Sequence, residues 1–472
     1  QYGNGFDQAF GWFFSNWGPS FDREGPAGWG NQAAIDANGT LAHPYSTASS
    51  ATGIPQAFPE FAGARYPWQP YKSVENFFRT GLVTNLSVNA NGSSDDGKVS
   101  YNLNFGNLSD EGFTPGNKLI RNNFGMGGRA ALSNNFTISG TFNYARTDFK
   151  TPPFAASTGN GAFGAGSSVF GNLFFTPISV DLIGLPFQNP ITGGSVYYRQ
   201  NNSIQHPLWT INNAQNRQLT NRVFGNITGQ YDINEHLNLV YRLGFDFYNE
   251  RNVNYQNKGG VDLPVRTLSG ILDTWDNNNI IWDHNFIING DYDLSEKFDV
   301  NFNIGATSRS RTLDRQGVSS SGQNVFGVLR HFNFALQDEI QFTTFQNIVG
   351  LYGQFEFGYN NYLFLTLNGR NDWASNLPKS GRSLFYKGGS LSFVATDAIE
   401  GFKSDALNFL KVRASYGESA GFATGFPAST NLFLNTQRFV DDAGTFISSN
   451  TSDNTLANPN IKPERYTEIE FG

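Results

Sequence analysis

Apolar and polar residues alternate with a period of two along most of this chain, in runs of about ten residues. Residues 237–247 set Leu237, Leu239, Tyr241, Leu243, Phe245 and Phe247 on one face, with Asn238, Arg242, Gly244 and Asp246 on the other. Residues 280–292 set Ile280, Trp282, Phe286, Ile288 and Tyr292 against Asp283, Asn285, Asn289 and Asp291. Phe298, Val300, Phe302 and Ile304 oppose Asp299, Asn301 and Asn303, while Leu410, Val412, Ala414 and Tyr416 oppose Lys411, Arg413 and Ser415. Similar runs lie near 82–92, 98–107, 120–132, 135–147, 218–232, 346–357, 361–371 and 384–395, with a last one from Glu464. The pattern predicts roughly thirteen strands.

The connections alternate in length. Short ones are expected at 93–97, 133–135, 232–236, 294–297, 358–361 and 396–407, the last with room for one helical turn. Long ones are expected at 108–119, 149–217, 250–279, 310–345, 372–383 and 418–463. Up-and-down strands place successive connections at opposite ends of a sheet, so every short turn falls at one end and every long loop at the other. That asymmetry belongs to bacterial outer-membrane barrels, with short periplasmic turns and long extracellular loops. A soluble β-sandwich also alternates, but its strands are shorter and its loops lack the two-ended pattern. The expected fold is therefore all-β, a transmembrane antiparallel up-and-down barrel. Its Leu, Phe, Ile and Tyr rows face hydrocarbon and its Asn, Asp, Arg, Gln and Thr rows face the lumen. A charge at mid-bilayer costs roughly 2–4 kcal/mol, and the apolar rows are nearly free of charge, with His284 the main interruption. Tyr231, Phe247, Tyr248, Trp282, Tyr292 and Phe357 are expected in interfacial aromatic girdles.

Composition sharpens this picture. Charged residues make up 15% of the chain and hydrophobic residues 39%, while 45 Phe, 19 Tyr, 8 Trp and 52 Gly supply the rest of the character. Such a chain suits a sheet with one apolar and one wet face. No stretch approaches the length of a transmembrane helix. A net charge of -7 disfavours a nucleic-acid partner, and the lack of cysteine excludes disulfides and thiolate metal sites. The chain opens at Gln1 and closes at Gly472 inside an expected strand, so it is read as part of a longer protein.

Six stretches, in order, resemble landmarks of the SusC-like (RagA-like) TonB-dependent transporters: QYGNGFDQAFGWFFSNWGPSFD (1–22), WQPYKSVENFFRTG (68–81), VSYNLNFGNLSDEGFTPGN (99–117), GQFEFGYNNYLFLTLNGRNDWAS (353–375), LNFLKVRASYGESA (407–420) and NPNIKPERYTEIEFG (458–472). The resemblance implies the middle part of a plugged barrel of the roughly 22-stranded type. Residues 1–472 would then be one barrel domain, incomplete at both ends, with the plug and last strands absent. It further implies a TonB partner acting through the plug region, a SusD-like lipoprotein lid, and a glycan or peptide substrate.

No enzymatic constellation appears. His43, His206, His236, His284 and His331 lack metal-binding spacing, and no nucleophile elbow or P-loop is present. The glycine cluster at 161–171 reads as loop, with no helix expected after it. Asp273, Asp276, Asn277, Asn278 and Asn279 form a dense oxygen-donor cluster whose spacing does not match a calcium loop. No metal, cofactor or catalytic residue is assigned. Substrate contacts are expected from loop aromatics beside hydrogen-bonding side chains: Trp209, Trp275, Asn277, Arg330, Arg370, Asp372 and Trp373. The expected function is TonB-dependent nutrient import across the outer membrane. The competing readings are a passive porin and a structural or docking barrel in an envelope secretion or adhesion assembly.

Overall fold

A strand with one apolar edge and unpaired amides is stable only beside a like neighbour, and each alternating run finds one. The computed structural model describes residues 2–3, 18–48, 53–152, 169–174, 176–198, 205–261, 265–422, 425, 428–430, 432–440, 442, 444–452 and 456–472. In the N-terminal segment a short ladder pairs β1 (Thr40–Ala42) with β2 (Arg65–Pro67). The main sheet follows with β3 (Leu82–Ser93), β4 (Val99–Glu111), β5 (Lys118–Ala131), β6 (Phe136–Thr151), β7 (Ala214–Asp232), β8 (Leu237–Gln256), β9 (Ile271–Ser295), β10 (Phe298–Gln323), β11 (Phe334–Tyr359), β12 (Leu363–Ala374), β13 (Ser383–Val394) and β14 (Lys411–Gly421). After a separate hairpin of β15 (Leu432–Val440) and β16 (Phe446–Ser452), β17 (Glu464–Phe471) completes it. The sheet has thirteen strands, all antiparallel, each beside its sequence neighbour apart from β14 against β17. Every expected run is one of these strands.

The turns follow the expected two-ended scheme. At the short-turn end Asn360 and Asn361 both take positive φ, 48° and 58°, which matches the type I′ geometry that a right-twisted hairpin needs and that asparagine tolerates. The 396–407 connection holds one helical turn, Ala395–Ala398.

Two expectations change. The strands run much further toward the long-loop end than alternation showed: β9, β10 and β11 have 25, 26 and 26 residues, absorbing most of the expected loops 250–279 and 310–345. A bilayer crossing needs only about 9–11 residues. Beyond it both faces are wet, so Ser308, Ser310, Thr312 and Asp314 alternate with Arg309, Arg311, Leu313 and Arg315, and the hydrophobic signal vanishes while pairing continues. The second change concerns the glycine cluster. Residues 161–168 lie outside the described residues, and a six-residue helix, Val169–Phe174, does follow. Residues 1 and 4–17 of the opening stretch also lie outside the described residues.

At the long-loop end the N-terminal segment and the β6–β7 connection pack into one lobe. Ile35, Leu41, Tyr66, Trp68 and Phe77 bury against Val169, Leu173, Val180, Leu182, Leu185, Tyr197 and Tyr198. Ser73 Oγ donates to Val180 O at 2.6 Å and Tyr45 Oη to Pro186 O at 2.6 Å, tying the two segments together. Arg79 donates through Nε to Gly112 O at 2.9 Å, so the lobe is also tied to the β4–β5 loop.

Candidate functional site

Register assigns every side chain of the sheet to a face. On β9 to β12, one face carries Phe286, Ile304, Leu351 and Leu367, all at least 40% exposed, which is an unusual state for so many large apolar side chains in water. The opposite face carries Asn285, Asn303, Gln354 and Asn368. His284 falls on the apolar face, where its Nδ1 meets Tyr241 Oη at 2.8 Å, so its polar edge is shielded by a cross-strand tyrosine. Charge enters that face on β13, β14 and β17, where Lys387, Glu418 and Arg465 share it and Glu418 pairs with Arg465 at 3.4 Å. Near the short turns Phe298, Tyr359, Tyr362 and Phe393 contact in series, with ring centroids 4.7, 5.6 and 6.0 Å apart. Phe247 meets Trp282 edge-on at 4.9 Å further up. Tyr248, expected in a girdle, lies on the polar face instead, across from Arg222 and Asn279.

On the polar face a network surrounds Arg370. Its guanidinium pairs with Asp372 at 2.7 Å, donates to Thr307 Oγ1 at 2.9 Å and lies 5.5 Å over the Tyr352 ring. Tyr386 Oη closes the far side of Asp372, and Tyr352 Oη donates to Asn285 Oδ1 at 3.1 Å. Asp372 is 3% exposed. Glycines make the room: a Cβ at Gly305 would sit 2.3 Å from the Tyr352 ring, and one at Gly350 would sit 2.2 Å from Asp372 Oδ1.

A second polar cluster stands nearer the long loops. Asn277 donates through Nδ2 to Glu250 Oε1 at 2.7 Å and accepts from Arg315 Nε at 2.7 Å; Asn279 accepts from Arg311 Nε at 2.9 Å. Trp275 shares their face, backed by Gly317. The β10–β11 loop carrying Arg330 is fastened on the opposite face of this stretch by His331, whose Nε2 meets Thr274 Oγ1 and whose Nδ1 meets Ser320 Oγ, both at 2.8 Å. Trp275 and Ile287, the β9 residue level with Arg370, are twelve residues apart, roughly 40 Å along a strand.

The expected substrate contacts therefore separate. Trp275 and Asn277 share the upper cluster, Arg370 with Asp372 forms the lower one, and Arg330 is exposed in the loop beyond them. Trp209 is 0% exposed and donates through Nε1 to Gly193 O at 2.7 Å, so it anchors the lobe and presents no face to a ligand. Trp373 lies across from Val349 on the apolar face and belongs with the girdle aromatics. Sequence reasoning missed Arg309, Arg311, Arg315, Tyr352 and Tyr386. Their period-two spacing was visible, but it carried no apolar partner row at β10. Asp273, Asn277 and Asn279 lie on one face of β9 while Asp276 and Asn278 lie on the other, so the oxygen cluster does not converge on a point.

A family model described as TonB dependent receptor-like, beta-barrel, matches residues 181–472. The chain belongs to the TonB-dependent receptor-like β-barrel family. Among solved structures, the RagAB peptide transporter superposes with a TM-score of 0.68 at 15% identity, covering 85% of this chain and 43% of that one. The RagAB peptide importer in its "open-open" state gives 0.68 at 16% identity, covering 86% and 43%. This TonB-dependent receptor chain thus spans less than half the length of the RagAB chains it matches. No curated protein matches it. Membership of the family assigns the chain to the outer membrane as part of a receptor-type β-barrel. It also gives the exposed Phe, Leu and Ile rows their solvent, which is hydrocarbon.

Proposed function

We propose that this chain forms part of the wall of a SusC-like importer that takes up a nutrient, an oligosaccharide or a peptide, by TonB-dependent active transport. The observation that carries this reading is the two-faced sheet of the matched family, whose polar face holds a built hydrogen-bonding surface instead of a plain aqueous wall. Order along the sequence supports the SusC-like type: six landmark stretches fall in the family's order, and the fold likeness to RagAB covers 85% of this chain. Residues 1–472 act as one barrel domain. In a closed barrel the free edges of β3 and β17 pair with further strands, since an open edge in hydrocarbon leaves amides unsatisfied.

The long loops and the lobe face the cell exterior and the short turns face the periplasm. Substrate is bound on the lumen side by Trp275 and Asn277, with Arg370 and Asp372 lower in the wall and Arg330 on the long-loop rim. A SusD-like lipoprotein covers the exterior end, and TonB drives release through the plug. The barrel itself stays rigid, because every strand of the sheet between β3 and β17 is hydrogen-bonded on both sides, while loops and plug move.

The test is uptake of labelled peptides and oligosaccharides by cells carrying the full-length gene, with and without a functional TonB system. Uptake that requires TonB is expected. Uptake that persists without TonB replaces this reading with a passive porin. Growth unaffected by deletion, with copurification of secretion or adhesion components, replaces it with a docking barrel.

A further inference from the structure

Arginines on the polar face fall into two groups. Arg222 and Arg370 each face a carboxylate directly, Asp246 at 2.5 Å and Asp372 at 2.7 Å. Arg309, Arg311 and Arg315 make no ion pair among the described residues, although all three occupy one face of β10. Arg311 and Arg315 are held through Nε alone, by the neutral amides Asn279 and Asn277, at 2.9 and 2.7 Å. A bond to Nε fixes the plane of the guanidinium and leaves its NH2 edge for another acceptor. Asn277 is itself fixed by Glu250, which also accepts from Asn252 Nδ2 at 2.9 Å, so the orientation is built from behind. Carboxylates on this face by register include Asp283, across from Arg309, Glu250, level with Arg315 and engaged by the Asn277 and Asn252 amides, Asp273, paired with Arg266, and Asp338, four residues beyond Arg315 in the ladder. Among the described residues none of these acids forms an ion pair with Arg309, Arg311 or Arg315, so the three guanidiniums keep their charge uncompensated by a direct partner.

The floor between these arginines is apolar. Leu313 lies between Arg311 and Arg315 on their face, Ile281 stands across from Arg311, Ile348 across from Arg309, and Phe342 across from Arg315 with 51% of its surface exposed. Spacing completes the pattern. Residues i, i+2 and i+6 of a strand stand about 7 and 13 Å apart. An extended peptide has the same repeat on each of its faces, so its alternate side chains meet these guanidinium edges in register.

We propose that Arg309, Arg311 and Arg315, over the Leu313–Phe342 floor, are a recognition site for an extended acidic peptide, with carboxylates at alternate positions and apolar groups between. The site rests on the importer reading above and narrows its substrate. Guanidinium and carboxylate pair edge to edge through two parallel hydrogen bonds, and the apolar floor excludes water from them.

The experiment uses the purified full-length protein. Binding is measured for an extended peptide with Asp or Glu at alternate positions, for its Asn/Gln counterpart, and for a uronate oligosaccharide. Wild type is compared with Arg309→Gln/Arg311→Gln/Arg315→Gln, each checked for an intact barrel by its heat-modifiable electrophoretic mobility. The wild type is expected to bind the acidic peptide at least tenfold more tightly than the amide peptide, with a steep salt dependence, and the triple variant is expected to lose that preference. Equal binding of the two peptides by wild type overturns the proposal, as does an unchanged preference in the triple variant. A uronate oligosaccharide binding as tightly as the acidic peptide overturns the peptide assignment. TonB-dependent uptake of neutral substrate alone leaves the importer reading standing while this site falls, and TonB-independent uptake removes the reading beneath it.

Discussion

Asp372 stands two residues after Arg370 on the same face of β12, and its carboxylate, 3% exposed, meets that guanidinium at 2.7 Å. Two charges taken from water together hold each other in place, and removing one strands the other. Asp372→Asn is expected to destabilise the barrel by about 3 kcal/mol, read as a lower temperature for the electrophoretic mobility shift. The double variant Arg370→Gln/Asp372→Asn should cost less than the sum of the singles. Additive effects would show that the pair is not coupled.

Gly350 leaves the space this pair fills. An added Cβ there would meet Asp372 Oδ1 at 2.2 Å and Thr307 Oγ1 at 2.8 Å, whereas at Gly353 the nearest contact is an ordinary 3.7 Å. Gly350→Ala is therefore expected to lower the barrel's melting temperature clearly, while Gly353→Ala leaves it within a degree or two. Equal responses would mean that space at Gly350 is not what the network requires.

Face assignment has its own test. Leu351 and Leu365 lie on the apolar face and Asn303 on the polar one. Leu365→Arg is expected to cost roughly 2–4 kcal/mol in a bilayer, and Asn303→Arg close to nothing. Folding yield into lipid vesicles measures both. A greater loss from the Asn303 variant would invert the faces.

His206 gives the lobe a pH dependence. It is fully buried, accepts from Leu208 N–H at 3.1 Å, and burial lowers its pKa from 6.5 to about 3. Below pH 6.5 the unfolded segment takes up a proton that the folded lobe refuses. Stability from the neutral ring is therefore complete above pH 6.5 and is lost as pH falls toward about 3. Proteolysis within 169–213 is expected to accelerate between pH 7 and pH 4.5, and His206→Asn, which keeps an acceptor, should flatten that slope. An unchanged slope in the variant would assign the effect elsewhere, beginning with His43, whose pKa burial also lowers.

Alternation marked all thirteen strands because hydrocarbon and water lie on opposite sides of the wall, and turn asymmetry ordered them. The same signal failed where its cause ended. Past the bilayer β10 reads Ser308, Arg309, Ser310, Arg311, polar on both faces, and only ladder pairing with β9 and β11 shows that it is still a strand. Candidate contacts drawn from loop aromatics met the same limit. Trp275 does stand beside Asn277, but Trp209 is a buried anchor and Trp373 a girdle residue, since a tryptophan in a polar stretch looks alike in all three roles.

What the sequence by itself determined is the wall: strand number, order, turn ends and the two faces, all local consequences of a period of two. The tertiary structure decided which distant residues meet. Arg370 finds Thr307 from 63 positions away and Arg315 finds Asn277 from 38, separations fixed by strand register. Register is set by the accumulated pairing of whole strands, and no short window of sequence contains it.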